Sequence, residues 1–218
     1  MRSLLGVQVL GTGSYVPDLV ISPLWPETLP ADGFIPYRYV ILPHIFARDT
    51  WVQGIEIMPG NARVVHHANL GFLKVGESFD PGRNFLTGRV PGGTAMDLKD
   101  GMALLIPAGS IIGVQVHYVT TGKPETDRIS VGLRFAKEPV QKQVHYLRLA
   151  NLRINIPPGA PAHEVTAARA LPGDATLLGL FNHMHLRDKD TSFIAHLPDG
   201  TSEKLLVVPN YSFDWQLS

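Results

Sequence analysis

Glycine and proline set the first limit on what this chain can fold into. There are 21 glycines and 18 prolines spread through 218 residues, and they leave room only for short regular segments. Between them lie "PYRYVILP", "VVHHANL", "IIGVQVHYV", "ISVGLRFA", "LRINIP", "ATLLGLF" and "TSFIAHLP". These runs have strand length, are rich in β-branched and aromatic residues, and end in turn residues. A helix needs an apolar repeat of about 3.6 residues, and only "AHEVTAARAL" offers one. That run is wedged between "PPGAP" and "PGD", and its alternation suits an extended segment equally well. The chain therefore reads as all-β, with the turn-punctuated strand spacing of a sandwich or jelly roll.

The strand pattern breaks at "FAKEPVQKQVHYL", where charged and amide residues and Pro139 separate two sets of runs. The expected organisation is an N-terminal β-sandwich over residues 1–142 and a partial β-sandwich over 143–218. The second unit has only ~75 residues, thin for a jelly roll of about eight strands. Such a unit would show an apolar face or an unpaired edge. It reads as a C-terminally incomplete piece, or as one covered by a further segment or an oligomer partner.

Nineteen basic residues balance nineteen acidic ones, so no net field draws the chain toward nucleic acid or an anionic membrane. No cysteine is present, which excludes disulfides, thiolate metal sites and cysteine nucleophiles; a metal would take His, carboxylate, Met or backbone oxygen. The N-terminal "MRSLLGVQVLGTGSYVPDLV" is interrupted by glycines and spells no clear signal peptide, and no apolar run reaches the ~18 residues of a membrane span. Phosphate loops, Gly-x-Ser-x-Gly elbows and His-Glu-x-x-His helices are missing from the sequence; "GTGSY" lacks the lysine a phosphate loop needs.

Nine histidines are the unusual chemical resource, and five of them fall in three short patterns: His66 and His67 in "VVHHANL", His117 in "VQVHY", and His183 and His185 in "FNHMHLRDKD". Side chains two apart on a strand share a face, so His183 and His185 can meet one ion while Met184 points away. Taken alone, that pair fits better a polar strand face with its imidazoles bonded to carbonyls. Adjacent His66 and His67 would point to opposite faces unless a strand end or a bulge swings one round. His117 follows Val114 and Val116 with its ring directed off the apolar face, and Tyr118 beside it reads as core. Together the five imidazoles suit copper or zinc better than magnesium or calcium. Arg187, Asp188, Lys189 and Asp190 read as a solvated turn or as hydrogen-bond partners of an imidazole. His44, His145, His163 and His196 have no partner in sequence and read as structural or exposed, and Gly60 and Asn61 read as a turn feeding the His-His strand.

The order His-His, Gln-Val-His-Tyr, His-x-His resembles the copper type II, ascorbate-dependent monooxygenases, the family of peptidylglycine alpha-hydroxylating and dopamine beta-monooxygenases. A bacterial branch is the nearer likeness. Its order is matched by "PADGFIPYRYVILP", "WVQGIEIMPGNARVVHH", "IPAGSIIGVQVHYVTTGK", "DRISVGLRFAKEP", "IPPGAPAHEV", "HMHLRDKD" and "VPNYSFDWQ", over roughly residues 17 to 216. The resemblance implies two linked jelly-roll domains, each with one copper. His66, His67 and His117 match the copper that relays electrons. His183 and His185 match two ligands of the copper that binds dioxygen and attacks a substrate carbon-hydrogen bond. It also implies ascorbate or another one-electron donor as reductant, a small organic substrate, and an extracytoplasmic setting, periplasmic or secreted.

The chain departs from the family in three places. The downstream methionine ligand of the second copper has no counterpart before "YSFDWQLS", Phe181 stands where the animal peptide hydroxylase has an arginine for the substrate carboxylate, and the animal enzymes' disulfides are absent. The expected function is thus a copper monooxygenase of unknown substrate. The alternatives are a copper-binding chain without catalytic competence and a non-catalytic β-sandwich interaction module.

Overall fold

The computed structural model describes residues 15–80, 82–151, 153–182, 184 and 187–212. Among these there is no helix, and the chain is all-β, as the glycine and proline spacing predicts. In chain order the strands are β1 (Leu19–Ile21), β2 (Glu27–Leu29), β3 (Arg38–Phe46), β4 (Thr50–Met58), β5 (Val65–Lys74), β6 (Phe85–Arg89) and β7 (Met96–Asp97). They continue with β8 (Met102–Ile106), β9 (Ser110–Tyr118), β10 (Glu125–Asp127), β11 (Ser130–Phe135), β12 (Lys142–Gln143), β13 (Thr191–His196) and β14 (Ser202–Val208).

Two main sheets form. One runs β1-β11-β4-β8-β12 with β7 also paired to β4, and the other runs β3-β9-β5-β6. Alternation along the strands sends apolar side chains from both into one core: Val52 and Ile55 from β4, Val131 and Leu133 from β11, Leu70 from β5, and Ile112, Val114 and Val116 from β9. The arrangement is sandwich-like, with this core supplied by residues between Ile21 and Leu133. Pro43 offers no ladder donor, and the β3–β9 register slips between Leu42 and Ile45, where it sits. At the entry to β8, Asp100 and Gly101 both take positive φ (53° and 70°), and the Met102 amide bonds the Lys99 carbonyl 3.0 Å away, the geometry of a tight mirror-image turn.

The runs "PYRYVILP", "VVHHANL", "IIGVQVHYV", "ISVGLRFA" and "TSFIAHLP" supply β3, β5, β9, β11 and β13. "LRINIP" and "ATLLGLF" form no strand among their described residues, although their composition suits one. A strand requires a ladder partner, and none pairs with them, so Ile154, Ile156, Leu177 and Leu178 stay exposed. The "AHEVTAARAL" run is likewise irregular and exposed. The boundary expected at 142/143 falls within β12, which pairs in parallel with β8, and Val144 still donates its amide to the Ala103 carbonyl at 2.8 Å. Beyond it, the regular structure among the described residues is the β13–β14 hairpin.

The outer face of the β3-β9-β5-β6 sheet, away from the core, is shaped by two glycines opposite each other in register, Gly71 and Gly113. A Cβ on Gly113 would lie 2.8 Å from the Phe79 ring, and one on Gly71 would lie 2.8 Å from the Asn84 carbonyl oxygen. That carbonyl accepts from the Phe72 amide at 3.1 Å, so it cannot retreat cheaply. Gly71→Ala is expected to cost about 1–3 kcal/mol by overpacking. Gly179→Ala, with open space around it, should stay within about 0.5 kcal/mol of the parent, both changes being read by urea titration.

Candidate metal centre

The site begins with the turn before β5. Gly60 is needed there because a Cβ would come 2.9 Å from the Arg128 amide nitrogen. The next residue, Asn61, donates its backbone N–H to Asp127 Oδ1 at 2.7 Å and its side-chain amide to Glu125 Oε2 at 3.1 Å, while its carbonyl accepts from the Val64 amide at 3.2 Å. These bonds fix where β5 starts. From there Val65 pairs with Tyr118, but the next pair is His67 with His117, leaving His66 as an extra residue in the ladder. This is a β-bulge, the device that lets adjacent histidines serve one side of a sheet.

The three imidazoles do come together. Ring centroids are 5.4 Å apart for His66 and His67, 5.3 Å for His66 and His117, and 4.9 Å for His67 and His117, with planes tilted by 69–74°. One nitrogen of each ring lies within 4.8 Å of the others. Nitrogens on a common ion with bonds of ~2.0–2.1 Å sit ~3.3–3.6 Å apart in tetrahedral or trigonal geometry, so even a pair at the 4.8 Å limit reaches it when the two rings share roughly 1–1.5 Å of movement. His67 is buried at 4 % exposure, His66 and His117 are half-buried, and Nδ1 of both half-buried rings is shut off from solvent. The donor set is nitrogen alone, which fits copper or zinc and does not suit the oxygen-seeking magnesium and calcium.

Around the triad, the same outer face carries Tyr37, whose ring centroid is 5.3 Å from that of His117 and 5.8 Å from that of His67. Burial pushes its phenol pKa up, with the Tyr39 phenol adding to the shift. One row along the sheet, the Asn69 amide donates to Gln115 Oε1 at 3.0 Å and the Gln115 amide donates to Tyr39 Oη at 2.9 Å. A cavity of about 220 Å³ opens against His117 between Gly33–Ile35 and the end of β9.

Sequence reasoning gives Tyr118 a core position, and it is 2 % exposed, its hydroxyl donating to Asp127 Oδ2 at 2.8 Å. Asp127 thereby grips both chain segments that bring histidines to the site. Nothing in "PETDRIS" singles out this residue in the sequence; its role depends on a contact made 66 residues away. Glu125 beside it is desolvated, which raises its pKa, but the Thr121 hydrogen bond, the Lys123 and Arg63 cations and the Asn61 amide outweigh that and hold it below the usual glutamate range.

His183 and His185 lie outside the described residues, so the second histidine pair is known here only by its flanks. Phe181 packs on β6, 3.5 Å from where a Gly88 Cβ would be, and Asn182 is buried. The Met184 carbonyl accepts a hydrogen bond from the Tyr211 hydroxyl at 2.6 Å, which ties Met184 to Tyr211. The Tyr211 amide in turn donates to the Lys189 carbonyl at 2.8 Å, so Lys189 helps order this segment. The remaining histidines stay apart from the triad: His44 packs edge-on to Phe46, His196 Nδ1 lies 2.8 Å from Ser202 Oγ, and His145 and His163 are exposed.

Burial and the neighbouring Asp127 carboxylate push the Tyr118 pKa far above its ordinary value. A raised acid pKa in the folded state means that stability is fully present below the unfolded pKa of ~10 and is lost as pH rises beyond it. Urea titrations should therefore show stability falling above pH ~10, and Tyr118→Phe should flatten that fall while lowering stability at pH 7 by about 1–3 kcal/mol through the unpaired Asp127 oxygen. No protein-family model, curated protein or solved structure matches the chain.

Proposed function

We propose that this chain binds copper at His66, His67 and His117 and acts as a copper monooxygenase, hydroxylating a small organic substrate with dioxygen and a one-electron donor such as ascorbate. The observation that carries the reading is the bulge at His66, which gathers three imidazoles from two neighbouring strands into metal-ligand reach. Chance surface histidines do not need an extra ladder residue to meet. Copper rather than zinc follows from the ordered resemblance of "VVHH", "VQVHY" and "HMH" to the ascorbate-dependent family.

Copper in such a site supplies one-electron redox chemistry. The protein's part is to hold three neutral nitrogen donors on a rigid strand pair, to keep His67 away from solvent, and to leave a cavity against His117 through which a small donor can approach. His183 and His185 are proposed to hold the second copper, at which the substrate is hydroxylated. The seating of Phe181 on β6, a strand of the triad's own sheet, supports a second centre on the triad's side of the molecule. The jelly-roll connectivity and the division into units over 1–142 and 143–218 belong to the same proposal.

A second reading, copper binding without turnover, is favoured by one observation. Around the His-x-His segment the described residues form just a two-stranded hairpin, with Ile194, Leu205 and Val207 exposed. Isolated hairpins are marginal, so this unit would need a further segment or a second copy to become rigid.

Copper titration and ascorbate-driven oxygen uptake separate the readings. The monooxygenase reading expects two coppers per chain, one fewer in His117→Ala, and oxygen uptake above that of free copper that is lost in His117→Ala. Two coppers or one without uptake supports the second reading. Unchanged copper content in His117→Ala contradicts both.

A further inference from the structure

We propose that Tyr37 is a positioning residue of the three-histidine centre, seating His67 and His117 for the ion with its ring and its hydroxyl. The inference rests on the metal reading above and extends it to a residue that is not a ligand.

Register makes the case first. Arg38 pairs with Val116 and Tyr39 with Gln115 across β3 and β9, so Tyr37, one residue before β3, stands level with His117. His117 is in turn paired with His67 across β9 and β5. Tyr37, His117 and His67 thus form one cross-strand row. Residues two apart on a strand share a face, which puts this row beside the hydrogen-bonded row Tyr39, Gln115 and Asn69 on the same side of the sheet. The second row pins the spacing of the three strands; the first presents the chemistry.

Contacts make it second. The Tyr37 ring packs on both imidazoles, tilted 55° to His67 and 52° to His117. Its hydroxyl oxygen lies 3.5 Å from Nε2 of His67. A metal-ligating imidazole commonly gives its other ring nitrogen to a fixed partner that sets the tautomer and orientation of the ring, and losing that partner typically costs 10–100-fold in metal affinity. Tyr37 is placed to be that partner for His67. A separation of 3.5 Å is the long limit of a hydrogen bond, so ring packing carries more of the effect than the hydroxyl. Pro36, just before it, fixes the backbone that delivers the side chain.

The test uses the full chain and two variants, Tyr37→Phe and Tyr37→Leu, with Cu(I) affinity read by competition with a chromophoric chelator and Cu(II) geometry read by electron paramagnetic resonance. For the ion that His117→Ala loses, Tyr37→Leu is expected to weaken binding by about 10–100-fold and to shift the copper hyperfine splitting. Tyr37→Phe should restore most of the affinity, because it keeps the ring. In the metal-free protein, Tyr37→Phe should still move the imidazole nitrogen-15 resonances of His67, which a purely space-filling ring would leave alone. A folded Tyr37→Leu protein with parental affinity and spectrum overturns the proposal. If Tyr37→Leu fails to fold, unmoved His67 resonances in Tyr37→Phe overturn it instead. A parent chain that binds no copper overturns the metal reading itself, whereas copper lost in His117→Ala but kept in Tyr37→Leu overturns this inference alone.

Discussion

One surplus residue in a β-ladder, His66, is what the candidate centre depends on. Without the bulge, strict alternation along β5 would put Val65 and His67 on one face, and the His66 ring would point into the core that Val65 now helps to fill. A buried imidazole there would be a desolvated polar group among Val64, Val116 and Leu70, a cost of roughly 1–3 kcal/mol if left unsatisfied. The bulge turns that liability into a third donor beside His67 and His117. The cost of the bulge is a disrupted ladder at the end of β5, and the surroundings are built to hold it.

That support comes from two directions. On the core side, Asp127 accepts from the Asn61 amide before the bulge and from the Tyr118 hydroxyl just after His117, so a single buried carboxylate fixes both strand ends. Val119 adds a backbone bond to the Val64 carbonyl at 2.8 Å. On the outer side, the aromatic ring of Tyr37 and the amide row of Asn69 and Gln115 cover the same strands. Metal sites need their ligands held by neighbours whose own positions are fixed, and the triad meets that requirement before any ion is added.

Much of this was legible in sequence. Glycine and proline spacing announces an all-β chain, and the β-branched runs locate β3, β5, β9, β11 and β13. "VVHH" also carries its own condition: adjacent histidines on a strand can act together only through a bulge or strand end, and the bulge is there. What local pattern cannot give is pairing. "LRINIP" and "ATLLGLF" have strand composition but no ladder partner among the described residues, so propensity had nothing to act on. Asp127 and Tyr37 were invisible as site residues for the same reason, because their roles arise from register between distant strands. For His183 and His185 the sequence still says more than the structure, which describes only their flanks.

The central claim is that His66, His67 and His117 together hold one copper ion. Copper K-edge X-ray absorption on the reduced protein carrying His183→Ala and His185→Ala tests it most directly, since the multiple-scattering signal counts imidazoles on the ion. The account predicts one copper with three imidazole nitrogens at about 2.0 Å. A copper bound chiefly by oxygen, or by a single imidazole, would contradict it.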